Sequence, residues 1–150
     1  MELLDWKISH IKNLLDSFER LTGKTIIERL NPELDYKAIQ EGEFVLVSHN
    51  GAQDPILNFG NEFALNLWEM DWDSFTKTPS RKTAEVDLRE SRQEMLEVAE
   101  HKGYFDKYEG IRISSSGKRF KIKDAIIWNV FNQEGVKIGQ AAYFNQIDHL

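Results

Sequence analysis

Residues 104–147 read YFDKYEGIRISSSGKRFKIKDAIIWNVFNQEGVKIGQAAYFNQI. Ile111 and Ile113 alternate with Gly110, Arg112 and Ser114, the period of a strand with two unlike faces. Ser116-Gly117 interrupts the alternation, Phe120 and Ile122 restart it, and Ala125 to Phe131 is almost continuously apolar. Asn132-Gln133-Glu134-Gly135 marks a second turn, and Val136 to Ile147 reads as a last strand. Three strands joined by two short glycine-containing turns predict an antiparallel meander.

Working outward, Phe44-Val45-Leu46-Val47-Ser48 is a β-branched apolar run bounded by Gly42 and Asn50-Gly51, and so predicts a buried strand. Ile56-Leu57-Asn58-Phe59 follows Asp54-Pro55, with the proline at a strand start, where it is tolerated. Between these strands and the meander lies helical sequence. Asn61 caps Glu62 to Trp68, a short helix fits Trp72 to Phe75, and the longest charged helix spans about Asp87 to His101, with acid-first pairs Glu85/Arg89 and Glu97/His101. Five strands around a helical insertion predict an α+β fold: a five-stranded antiparallel sheet with helices on one face.

The N-terminus adds an amphipathic helix over Leu3 to Leu21. Leu4, Ile8, Ile11, Leu15 and Phe18 form one stripe, Leu14 and Leu21 widen it, and Thr22-Gly23 ends it. Its near-heptad seam either docks on the chain's own core or pairs with a second copy. Asn31-Pro32 opens a second helix that runs to Gly42. The expected division is a helical extension over 1–42, a candidate dimerisation element, and the main α+β domain over 43–147.

Composition narrows the function. A chain of 150 residues with 41% hydrophobic and 29% charged residues folds as an ordinary single domain. A net charge of -6 opposes nonspecific phosphate binding, so no nucleic acid is expected as a partner. The basic run Lys118 to Lys123 alternates with apolar residues, as the solvated side of a strand does. Cysteine is absent, which excludes disulfides, thiolate metal sites and cysteine nucleophiles. The four histidines show no metal-ligand spacing, so no metal is expected. MELLDWKISH is no apolar leader and no segment is long enough to span a bilayer, so no membrane is expected and the cytoplasm is the expected compartment.

The wording of the sequence resembles a known family. Asn61 through Trp68-Glu69, Pro79-Ser80-Arg81 and Thr83-Ala84-Glu85 are similar to blocks of the MEKHLA domain, a PAS-related family. So are Tyr108, Gly110 to Ser115, Gly117, Arg119-Phe120, Trp128-Asn129, Gly139 to Ala142 and Phe144. The resemblance covers about Val45 to Phe144. It implies a PAS-like fold in the stand-alone bacterial-type form, cytoplasmic, with a sensory or regulatory role exercised through a small molecule or an unidentified protein partner. It implies no catalysis, and it favours a homodimer through the Leu4, Ile8, Ile11, Leu15 and Phe18 stripe.

The candidate ligand residues follow from those blocks. Asn129 and Gln140 fall on adjacent strands and either fix a ligand or pair with each other. Arg112 and Arg119 flank the Ser114 to Gly117 turn and would suit an anionic group, or a helix acid. Trp68, Trp72 and Trp128, with Phe59, Phe63 and Phe75, wall a pocket or simply fill the core. Tyr108 belongs with them. Pro79-Ser80-Arg81 is similar to the Asn-Cys-Arg motif of flavin photosensors, with Ser80 in the cysteine's place and Arg81 toward an anion. The readings left standing are a ligand-binding sensor, a pure interaction module with a filled core, and a flavin sensor without a photoactive cysteine. An enzyme would need residues converging from places the sequence does not show.

Overall fold

The computed structural model describes residues 2–84, 94–95, 97–98 and 101–150. Its helices are α1 (Leu3–Thr22), α2 (Pro32–Glu41), α3 (Glu62–Trp68) and α4 (Trp72–Phe75), followed by a 3-10 turn at Ser80–Thr83. Its strands are β1 (Val45–His49), β2 (Leu57–Gly60), β3 (Tyr104–Ile113), β4 (Arg119–Phe131), β5 (Lys137–Phe144) and β6 (Gln146–His149). The helix expected over 87–101, with its Glu85/Arg89 pair, lies mostly outside the described residues. Glu94, Met95, Glu97, Val98 and His101 are helical, and Met95 packs on the core.

All pairings are antiparallel, in the order β2-β1-β5-β4-β3, with β6 on the first half of β4. The sheet thus has six strands rather than five, because the expected last strand breaks at Asn145. In register, Asn145 falls opposite Asp124 of β4, which sits at φ 54°. That left-handed residue interrupts the ladder, and β6 resumes pairing beyond it.

Each face of the sheet carries its own core. The inner face gathers Val45, Val47, Leu57, Tyr108, Phe120, Ile122, Ala125, Ile127 and Phe144 beneath Trp68 of α3 and Phe75 of α4. The outer face packs Leu46, Phe59, Trp128, Val130 and Ala141 against Ile11, Leu14, Leu15 and Phe18 of α1 and Ile39 of α2. The N-terminal stripe therefore docks in cis: Ile11 and Leu15 are fully buried and Phe18 is 2% exposed, while Leu4 is 51% exposed and Ile8 half-buried. Ile11, Leu15 and Phe18 are not free to pair with a second copy, because the sheet already covers them.

Polar contacts fix the docking. Arg29, between α1 and α2, donates to Asp16 (3.0 Å), Glu19 (2.9 Å) and buried Asp35 (2.8 Å). Asn61, fully buried, accepts from the backbone of Leu46 and Ala64 and donates to the carbonyls of Ile39 and Phe44, tying α2, β1 and α3 at one side chain. His10 stacks on Trp6 with centroids 4.5 Å apart, and its Nε2 lies 2.9 Å from Ser48 Oγ. Since the Ser48 hydroxyl donates its one proton to Asn58, it accepts from His10 Nε2–H.

Burial pushes the His10 imidazole down to about 4. The unfolded chain takes up that proton near pH ~6.5. The contribution of neutral His10 is therefore complete above pH ~6.5 and is lost as pH falls toward 4. Stability is expected to decline over that interval by up to the order of 3 kcal/mol, with less decline in His10→Gln. Chemical denaturation at stepped pH measures it, and an NMR titration of His10 with a midpoint near pH ~6.5 would contradict it.

Candidate functional site

The inner core does not close completely. Between the sheet and the α3, α4 and 3-10 segment lies a cavity of about 60 Å³, walled by apolar side chains including Val47, Leu57, Phe75, Ile127 and Phe144. Its lining also includes residues with polar groups: Ser48, His49, Trp68, Ser80, Thr83, Tyr108, Arg112 and Gln140.

Trp68 reaches it from the last turn of α3. That turn ends at Glu69, which takes the left-handed conformation at φ 57° and closes the helix. Glu69 is clamped to the β3–β4 turn: its carboxylate accepts from Ser114 Oγ at 2.6 Å and from Ser116 Oγ, and pairs with Lys118 at 3.3 Å. The backbone N–H of Ser115 donates to Trp68 O at 3.0 Å. The Ser114 and Ser116 hydroxyls, with Lys118 beside them, hold the Glu69 carboxyl down at about 2, so the clamp stays charged at any neutral pH. The indole sits edge-on to Phe120 with centroids 5.3 Å apart, and its Nε1–H is buried without a hydrogen-bond partner.

Tyr108 and Arg112 share the inner face of β3 with Gly110 between them. A Cβ at Gly110 would lie 2.5 Å from Tyr108 Oη and 2.9 Å from Arg112 Nη1, so the missing side chain is the space in which the two meet. Arg112 Nη2 donates to Tyr108 Oη at 2.7 Å and Nη1 to Ile111 O at 3.2 Å. The guanidinium is buried. Among the described residues, no carboxylate lies within ion-pair distance of it.

A family model described as the MEKHLA domain matches residues 8–149. The chain belongs to the MEKHLA domain family. The match begins inside α1 and so takes in the outer-face helices as well as the sheet. The MEKHLA chain is similar in fold to a PAS domain from Colwellia psychrerythraea, at 13% identity and TM-score 0.65, over 79% of this chain and 95% of that one. It is also similar to an RNA-binding Light-Oxygen-Voltage receptor, at 15% identity and TM-score 0.64, over 79% of this chain but 33% of the receptor. A third similar structure is the PAS domain, in complex with ethanol, of a LuxR-family transcriptional regulator from Burkholderia thailandensis: 13% identity, TM-score 0.55, 76% of this chain and 95% of that one. No curated protein matches the sequence.

Within this MEKHLA domain the sequence candidates separate by face. Trp68, Ser80, Tyr108, Arg112 and Gln140 all line the cavity. Gln140 Nε2 donates to Asn129 Oδ1 at 3.0 Å, so the two amides pair, with Gln140 the one that reaches the cavity. Trp128 does not line it. It is fully buried on the outer face, where Nε1–H donates to Leu14 O of α1 at 3.1 Å. Arg112 and Arg119 do not converge either, because Arg112 pairs with Phe120 and Arg119 with Ile113, which sends the two side chains to opposite faces. Arg119 is exposed. The 3-10 turn carries Ser80 inward and Arg81 outward, where it meets exposed Asp54 at 3.2 Å.

His49 and Thr83 also line the cavity, outside the candidate ligand residues. Their strand-end and turn positions place them there, and neither residue type signals it in sequence. A flavin does not fit the side chains as they pack. The cavity is far below the ~300–1,000 Å³ of sites that enclose drug-sized molecules, and Phe75 and Phe144, which line it, pack with Phe120 around the Trp68 indole. Among the described residues no cluster of histidine and carboxylate side chains could hold a metal, and no helix is long and apolar enough to cross a membrane.

Proposed function

We propose that this MEKHLA domain is a cytoplasmic sensory or regulatory module that takes up a small compound in its inner cavity and passes occupancy on by protein contact, without catalysis. The observation that carries the reading is a mainly apolar cavity with a few polar groups in its lining, among them Trp68, whose indole N–H is buried without a partner. A buried donor with no acceptor is costly, and an apolar pocket with a few placed polar groups is the usual form of a ligand site. The size argues for a very small molecule. One domain of similar fold has been crystallised with ethanol. Contact with a partner, or with a second copy, would use surfaces other than Ile11, Leu15 and Phe18, which the outer core consumes. Exposed Leu3, Leu4, Leu30 and Leu34 remain at the surface of the helical layer.

Native mass spectrometry of freshly purified protein, with a visible absorbance spectrum, tests this. The expected result is a small non-covalent adduct, or a thermal shift with small polar compounds, and no flavin bands. An adduct-free mass together with no shift against any such compound would leave only the interaction-module reading. Flavin absorbance would instead require the aromatic packing around Trp68 to open.

A further inference from the structure

We infer that the cavity selects a small monoanion, a carboxylate with a short apolar tail, with Arg112 as its counter-ion and Trp68 Nε1–H as a second donor. The inference rests on the cavity being a ligand site, and it adds the chemical class of the ligand.

Charge is the first argument. Arg112 is 6% exposed, and its hydrogen bonds run to two neutral acceptors, Tyr108 Oη and Ile111 O. A guanidinium keeps its proton at neutral pH and cannot escape burial by discharging, as a lysine or histidine can. Buried charges are paired or they are costly. Among the described residues nothing anionic is paired with Arg112, and no Asp or Glu lines the cavity it faces.

The balance of donors and acceptors points the same way. Tyr108 Oη is occupied by Arg112, Thr83 Oγ1 donates to Ser80 O at 2.7 Å, and Gln140 Nε2 donates to Asn129. The unmet capacity is on the donor side: the Trp68 indole N–H, and a guanidinium with five N–H groups of which two are bonded. A carboxylate accepts from both through its two oxygens and closes the deficit of charge and of acceptors together.

Volume sets the rest. A water needs ~10–15 Å³ of such space, so a cavity of about 60 Å³ takes roughly four to six heavy atoms, a carboxylate with one to three further carbons. Val47, Phe75, Ile127 and Phe144 receive the alkyl part. A phosphate ester brings more oxygens and more charge than one arginine and one indole can satisfy, and it leaves the apolar wall uncovered.

The test is calorimetry and thermal shift on the full chain with acetate, propionate and butyrate at constant ionic strength, set against acetamide, propionamide and ethanol. The Trp68 indole resonance is followed by NMR. The expected result is saturable binding of propionate or butyrate that moves the indole, with the amides and ethanol at least about tenfold weaker, and about a tenfold or greater loss in Arg112→Met with partial recovery in Arg112→Lys. If Arg112→Met fails to fold, the wild-type comparison of acid against amide with the indole readout decides alone. Amides that bind as tightly as the acids overturn the anion assignment and leave the cavity reading standing. If none of the six compounds moves the indole and native mass spectrometry shows no adduct, both fall.

Discussion

Gly139→Ala is expected to destabilise the domain by about 3 kcal/mol or more, at the upper end of what a single added methyl does. Gly139 lies in β5 between β1 and β4, at φ 154°. A Cβ there would sit 1.9 Å from His49 O and 3.0 Å from His49 C, both backbone atoms of β1. No rotamer change relieves a clash with backbone, so β1 and β5 must separate at the point where His49 pairs with Gln140. Those two residues line the cavity, and ligand affinity is expected to fall with stability. Gly135→Ala is the control: φ is 80° and nothing lies within 4 Å of the added carbon, so it carries only the left-handed penalty of ~1–2 kcal/mol. Urea unfolding of both variants measures the difference. Equal midpoints would show that β5 is free to slide, contrary to the register observed.

The meander, the early strands and the capped helices were legible because each rests on local chemistry. Asn31 caps α2 with its side chain on Leu34 N, and Asn61 caps α3 on Ala64 N, as the side-chain types predict. The β3–β4 and β4–β5 connections fall at Ser114 to Gly117 and Asn132 to Gly135, as read. What sequence could not show is which way residues point once a bulge resets the alternation. Phe120 and Ile122 face inward, and so do Ala125 and Ile127, because Asp124 at φ 54° spends one extra residue. Strict alternation from Phe120 would send Trp128 inward, whereas the reset turns it outward onto α1. The continuous apolar run from Ala125 to Phe131 was the available sign that both faces of β4 are covered. Arg112 and Arg119 needed only the register of one hairpin to be told apart. Arg112 itself was legible as an anion-binding candidate, but its want of a carboxylate partner is a property of the packed chain.

Trp128→Ala is the second large effect, an expected loss of about 3–5 kcal/mol. The indole is fully buried, meets Phe18 edge-on with centroids 4.8 Å apart, and donates to the Leu14 carbonyl of α1. Truncation removes the largest buried side chain of the outer core and leaves a void under the helix that strand backbone cannot fill. Trp128→Phe keeps most of the apolar contact and loses the hydrogen bond, so about 1–2 kcal/mol is expected. The distribution of the loss separates this face from the cavity face. Amide exchange in α1 should rise in Trp128→Ala, most around Leu14 to Phe18, because the indole bonds the Leu14 carbonyl and meets Phe18, while His10 on Ser48, Ser17 on Phe131 and the Arg29 ion pairs remain. Carboxylate binding measured below the unfolding transition should change far less than in Arg112→Met, since the cavity lies on the other side of the sheet. Undocking would also bare Ile11, Leu15 and Phe18, so a concentration-dependent rise in mass confined to Trp128→Ala is the expected mark of a stripe that pairs only when the sheet releases it. A monomeric Trp128→Ala variant with α1 exchange unchanged would mean that Trp128 does not anchor the helix.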